Sequence, residues 1–136
     1  MILLTGATGR VGKAAATELL SKGVPFRAFV RDADKFEYAG DGVELVVGDF
    51  TDLDSVERAV QGVTRALIVM GNHPEQAELE QRFATVAAEA GVAHLVKVSS
   101  MEAAPDATAA LPKNHFETEQ TIAELDLDWT FLRPNY

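Results

Sequence analysis

Short continuous apolar runs alternate along the chain with stretches whose apolar residues recur every three or four positions, and this alternation predicts strands alternating with helices. Ile2-Leu3-Leu4 is a run of the kind a strand buried on both faces of a parallel sheet requires. Val11, Ala15 and Leu19 follow at helical spacing, and Lys22-Gly23-Val24-Pro25 stops that helix. Phe26 to Val30 predicts a second strand, residues 36–42 a linking turn, and Val43 to Val47 a third strand. Leu53, Val56 and Val60 mark one face of a second helix, and Arg65 to Met70 is the fourth strand. A third helix, from Glu75 to Ala90, carries Leu79, Phe83, Val86 and Ala90 at core spacing and closes at Gly91. His94 to Val98 is the fifth strand, Lys113 to Leu125 the last helix, and Trp129 to Leu132 begins a sixth strand. Between them, Glu102 to Leu111 is alanine-rich, with Pro105 inside it and Pro112 after it, and reads as a mobile loop able to act as a lid. The pattern predicts an α/β fold, a doubly wound parallel sheet in the order 3-2-1-4-5-6, as one domain over residues 1–136.

The turn between the first strand and the first helix carries the most specific signal. Thr5-Gly6-Ala7-Thr8-Gly9-Arg10-Val11-Gly12 places a glycine at every third position, in the strand–turn–helix context that a phosphate-binding turn needs. Gly6 allows the tight turn, Gly9 lets backbone N–H groups approach a pyrophosphate, and Gly12 lets helix and strand pack closely. Gly6, Thr8, Gly9, Arg10 and Val11 are expected around the pyrophosphate, with the helix N-terminus supplying donors and partial positive charge. A P-loop is disfavoured, because Gly12-Lys13 is followed by Ala14 where a serine or threonine is needed. A glycine-rich turn without a ligand is the plain alternative.

Other candidates gather at the C-terminal ends of the strands, where open α/β sheets bind ligands. Arg31 and Asp32 follow the second strand and conflict: the acid is the signal for NAD(H), while the arginine, a planar fork suited to a 2′-phosphate, favours NADP(H). Asp49 can bond the adenine amino group and Phe50 can wall the ring, while Asp52 can cap the next helix. Met70 and Gly71 fall beside the nicotinamide half; His73, nearby, suits a helix cap better than catalysis. Ser99, at the end of the fifth strand, can bond a substrate carbonyl or merely satisfy loop backbone.

Composition narrows the classes. The formal charge of −9 opposes nucleic-acid binding. No apolar run is long enough to cross a membrane. The chain has no cysteine, so it has neither disulfides nor a thiol nucleophile, and His73, His94 and His115 lack metal-ligand spacing. No metal is expected. The first strand begins at the N-terminus without a leader, which points to the cytoplasm.

Taken in order, Thr5 to Gly12, Val30-Arg31-Asp32, Gly48-Asp49, Ser99-Ser100, His115-x-x-x-Glu119 and Thr130-Phe131-Leu132-Arg133-Pro134 resemble the NmrA-like atypical short-chain dehydrogenases/reductases over essentially the whole chain. The resemblance implies an NAD(P)-binding Rossmann domain and an NAD(P)H-dependent oxidoreductase of the quinone-reductase type, or its cofactor-binding fragment, delivering hydride to a quinone-like acceptor. It also implies an alternative, a non-catalytic NAD(P) sensor acting through a protein partner. Two departures stand out. Where carbonyl-reducing members carry Tyr-x-x-x-Lys, this chain has Leu111 and His115, and its two tyrosines, Tyr38 and Tyr136, lie elsewhere. His115, helped by Lys113, is the remaining acid candidate, with contact to the nicotinamide ribose as the alternative. Members also continue beyond Arg133-Pro134 into a substrate domain, so that domain is expected to be absent here, with a dimer or other partner covering exposed apolar surface.

Overall fold

A computed structural model describes residues 1–38 and 40–135; Ala39, inside the expected turn at 36–42, and Tyr136 lie outside the described residues. Six strands, β1 (Ile2–Thr5), β2 (Phe26–Val30), β3 (Val43–Val47), β4 (Arg65–Ile68), β5 (His94–Val98) and β6 (Asp128–Leu132), form one sheet in the order β3-β2-β1-β4-β5-β6. Every pair is parallel, so all C-terminal ends share one edge. The order reverses between β1 and β4, which opens a crevice above β1. The four helices are α1 (Arg10–Ser21), α2 (Leu53–Val60), α3 (Gln76–Glu89) and α4 (Ala110–Ala123).

Alternation along the strands sorts the core into two layers. Leu3, Phe29, Ala66, Ile68 and Leu95 face α2, α3 and α4, packing with Val56, Val60, Phe83, Ala87 and Ile122. Leu4, Phe26, Ala28 and Val30 face the other way, against Ala16, Leu19 and Leu20 of α1. Leu3 and Leu4 are both fully buried, which explains the unbroken apolar run of β1. Burying each such side chain contributes about 1.5–3 kcal/mol.

Two boundaries differ by two or three residues in ways that matter for the site. β4 ends at Ile68 rather than Met70, because the Val69 N–H leaves the ladder and donates to Thr5 Oγ1 at 2.9 Å. α4 begins at Ala110, three residues before Lys113, with Pro112 in its first turn; a proline is tolerated there because that N–H has no intrahelical partner. The residues before it are folded, with Ala103 buried and its N–H donating to Ser100 O. Asp52 is the N-cap of α2 as expected, without making a side-chain cap bond. The expected stop of α1 is as read: Gly23 has φ +65°, and the N–H groups of Gly23 and Val24 return to Leu20 O and Leu19 O.

Gly12, inside α1, and Gly23, just past its end, therefore answer differently to one methyl group. A Cβ at Gly12 would lie 1.9 Å from Gly6 O, backbone against backbone, whereas at Gly23 it would meet nothing within 4 Å and only the left-handed φ is strained. Gly23→Ala is expected to cost about 1–2 kcal/mol, and Gly12→Ala at least about 3 kcal/mol, read as shifts in the urea midpoint at unchanged slope. Equal losses would contradict the close crossing.

Candidate functional site

The crevice above β1 is a cleft of about 220 Å³ lined from three strand ends. Gly6, Ala7 and Thr8 form its floor, Phe29, Val30 and Arg31 come from β2, Gly48 to Thr51 from β3, and Val69 to His73 from β4. Of the residues expected at a dinucleotide, Gly6, Thr8, Arg31, Asp49, Phe50, Met70 and Gly71 line this cleft, whereas Gly9, Arg10, Val11 and Gly12 do not. Gly9 is the N-cap of α1, and Arg10 and Val11 are exposed on its first turn. Gly12 is buried beneath, pressed on the Gly6 carbonyl.

The floor is shaped by backbone contacts. Gly6 has φ +61°, and a Cβ there would lie 2.5 Å from Val69 O. Thr5, fully buried, fixes Val69 at that distance by donating to Leu67 O at 2.9 Å while accepting from the Val69 N–H. This tie was not foreseen from sequence. The N-terminus of α1 fits an anion: it has no side-chain cap and no acid in its first turn, so its free N–H groups and partial positive charge have no counterpart among the described residues.

At the β2 end Arg31 and Asp32 are placed differently. Asp32 accepts from the Asp34 N–H at 3.0 Å, capping a short 3-10 turn (Ala33–Lys35), and does not line the cleft. Arg31 lines it, is exposed, and its guanidinium has no hydrogen-bond or ion-pair partner among the described residues. At the β3 end Asp49 accepts from Thr51 N–H (2.9 Å) and Thr51 Oγ1 (2.8 Å) through Oδ1. That backbone bond chiefly holds its carboxyl below the usual range, with the Thr51 hydroxyl, Arg31 and His73 adding to the effect against partial burial. Oδ2 is left for a donor such as an exocyclic amine. Phe50 packs edge-on against Phe29 (5.9 Å between centroids) and tilted on Phe83 (5.1 Å), so it is a fixed wall.

Residues outside the motif hold this loop in place. Ser55, fully buried, accepts from the Asp49 N–H at 3.0 Å, and its one hydroxyl proton lies between Asp52 O (2.7 Å) and Asp49 O (3.0 Å). Gly48 makes room for it, since a Cβ there would lie 2.4 Å from Ser55 Cβ and 2.6 Å from Phe29 Cε2. Arg82 of α3 donates to Phe50 O at 2.8 Å. His73 lines the cleft, its Nδ1 accepting from the Glu75 N–H at 3.0 Å in the turn just before α3, which has no side-chain cap.

The residues proposed for catalysis are dispersed. Ser99 is fully buried and donates to Glu119 Oε2 at 2.5 Å, so its hydroxyl is committed inside the protein. Arg133 clasps the same carboxylate through Nε and Nη2. Lys113 is exposed on α4. His115 is buried, and its Nδ1 lies 3.0 Å from Lys97 Nζ; Lys97, fully buried, also donates to Glu80 Oε2 at 2.7 Å. Burial, then the Lys97 charge, pull the His115 pKa down to about 4 against the opposing Glu119, so the imidazole is neutral near pH 7 and is no store of protons there. Glu80 and Lys97, a fully buried ion pair, gave no sequence signal beyond Lys97 interrupting an apolar strand.

The family described as NAD(P)H-binding matches residues 6–136. The chain is 40% identical over 135 residues to the (4-alkanoyl-5-oxo-2,5-dihydrofuran-3-yl)methyl phosphate reductase of Streptomyces griseus, covering 98% of this chain and 47% of that protein. It is 33% identical to the NAD(P)H azoreductase of Xenophilus azovorans, covering 100% of this chain and 48% of that one. The crystal structure of the Escherichia coli NADPH-dependent quinone oxidoreductase QOR2 with NADPH superposes with a TM-score of 0.86 at 30% identity, covering 100% of this chain and 49% of the other. The chain thus spans about half the length of the curated relatives it matches. The match along nearly all its residues shows that the chain belongs to the NAD(P)H-binding family, and its structural neighbours are NmrA-like proteins.

Proposed function

We propose that the chain is the cofactor-binding half of an NADPH-preferring reductase that delivers hydride to a quinone-like, conjugated acceptor. The observation that carries the cofactor preference is the free Arg31 guanidinium at the cleft mouth beside an Asp32 already spent on its own turn. An arginine fork pairs with a 2′-phosphate, and Asp32 does not line the cleft. The N–H groups of Arg10, Val11 and Gly12 would hold the pyrophosphate, Asp49 the adenine amino group, Phe50 one side of the base, and Met70 and Gly71 the nicotinamide half. The bound dinucleotide supplies the hydride. The relatives reported above act on a butenolide phosphate, azo compounds and quinones, acceptors whose reduction puts charge into a conjugated system. Such acceptors need less from a protein acid than a simple ketone does, which suits α4, where Leu111 and His115 stand instead of a tyrosine and lysine.

The domain boundaries, residues 1–136 as one Rossmann unit, belong to this proposal, as do a cytoplasmic setting and pairing of two copies through the β6 edge. Trp129 and Leu132 there are 45% and 48% exposed. No described helix is long and apolar enough to cross a membrane. A second reading, an NAD(P) sensor working through a protein partner, is favoured by one observation: the Ser99 hydroxyl is buried and committed to Glu119, out of reach of a substrate. Oxidation of NADPH by a panel of quinones separates the two, since turnover supports the reductase and tight binding without turnover supports the sensor.

Arg31→Ala is expected to weaken NADPH binding by roughly tenfold or more while leaving NADH binding nearly unchanged, as measured by calorimetry. Equal losses for both would remove Arg31 from the 2′-phosphate. A pH prediction follows from His115. Its folded pKa lies below the unfolded value, so the unfolded chain binds the extra proton first, and the contribution is complete above about pH 6.5 and lost on acidification toward about pH 4. Urea midpoints should fall across that window, and His115→Asn should flatten the slope.

A further inference from the structure

A buried polar chain runs from the cofactor cleft to the last helix and has no part in binding the dinucleotide. Gln76 Nε2 donates to Met70 O and to Glu80 Oε1, both at 3.4 Å; Lys97 Nζ donates to Glu80 Oε2 at 2.7 Å and to His115 Nδ1 at 3.0 Å. Met70 lines the cleft, so the chain begins at the wall of the site. Its level is fixed by the sheet: Lys97 pairs with Ile68, directly before the cleft-lining Val69 and Met70. α4 follows β5 after a loop at the C-terminal edge, so its first turns, where His115 stands, lie at that same edge.

An ammonium has three donors and no acceptor. His115 Nδ1 facing Lys97 must therefore accept, which places the ring proton on Nε2. Among the described residues no fully buried side-chain nitrogen or oxygen lacks a partner, and none of them bonds His115 Nε2, so that nitrogen reaches the molecular surface. The charged groups around the ring are Lys97 from β5, Glu80 from α3 behind it, Glu119 on α4 and Arg133 after β6, which neutralises Glu119. An ion pair between two fully buried groups is an expensive way to fill space, and apolar side chains of similar size would serve stability as well. Its effect on the ring is specific.

We propose that Lys97, anchored by Glu80, is a positioning residue that holds His115 as a neutral Nε2–H donor at the acceptor side of the cleft, where that N–H binds the carbonyl oxygen of a quinone-like acceptor. This rests on the reductase reading and deepens it: His115 gives a hydrogen bond to oxygen that gains negative charge, and a proton, where one is needed, comes from water.

Nitrogen-detected NMR of the imidazole in the 136-residue chain tests this without turnover. In the wild type, His115 should show the Nε2–H tautomer and stay neutral down to about pH 5. With NADP+ present, 1,4-naphthoquinone should shift its Nε2 resonance. Lys97→Met leaves Glu80 buried alone, so the double variant Glu80→Leu/Lys97→Met is the safer one to fold. It should let the ring sample both tautomers, raise its titration toward the ordinary histidine range, and lose the quinone-dependent shift. An Nδ1–H tautomer in the wild type, a double variant identical to it, or a quinone that leaves Nε2 unmoved would overturn the proposal. Amide shifts on adding NADP+ to the same samples show separately whether the cofactor reading holds.

Discussion

The contact on which the site depends is the crossing of Gly12 over the Gly6 carbonyl. A single methyl group at Gly12 would fall 1.9 Å from that oxygen, so α1 can start this close to β1 only with hydrogen at position 12. The closeness brings the N-terminus of α1 over the C-terminal edge of the sheet. Thr5 completes the arrangement from the other side by pinning Val69 against Gly6, which ends β4 early and turns its loop into the cleft wall. A helix terminus with no side-chain cap and no acid in its first turn, beside a crevice at the strand-order reversal, has the features that suit an anion.

The remaining parts of the cleft are rigid for identifiable reasons. Ser55 holds both polar groups of Asp49's backbone, Gly48 gives it space, Phe29 and Phe83 back Phe50, and Arg82 holds the Phe50 carbonyl. Asp49 therefore lines the cleft with one oxygen fixed by Thr51 and the other oriented. Such pre-bonded groups lose little freedom when a ligand arrives, so more of each contact appears as affinity. Beneath the β5 side, the Glu80–Lys97 pair ties α3 to β5 and the Glu119–Arg133 pair ties α4 to the end of β6, beside the apolar packing of Phe83, Ala87 and Ile122. The four partners are not alike, since Arg133 is 46% exposed while Glu80, Lys97 and Glu119 are buried.

Much of this was legible in the sequence because it rests on local chemistry. Glycine spacing located the turn on the cleft floor, unbroken apolar runs located the strands, and Asp49 and Phe50, placed after a strand end, and Met70, placed at one, line the cleft. What escaped depends on contacts distant along the chain. Thr5 reaches Val69 across 64 residues, and Lys97 reaches His115 across 18, so neither leaves a local pattern. Ser99 looked available at a strand end, but alternation along β5 puts it on the same buried face as Leu95 and Lys97. The early start of α4 was hidden by Pro112, which ends helices in their interior but is harmless in a first turn.

The most direct test of the account is to follow backbone amide resonances of the folded chain while NADP+ is added. The account predicts that the largest changes map to Gly6–Gly12, Arg31, Asp49–Thr51 and Gly71, with little effect at the opposite edge around Gly91 and Asp126. A folded chain that shows no change, or changes concentrated away from the glycine turn, would contradict it.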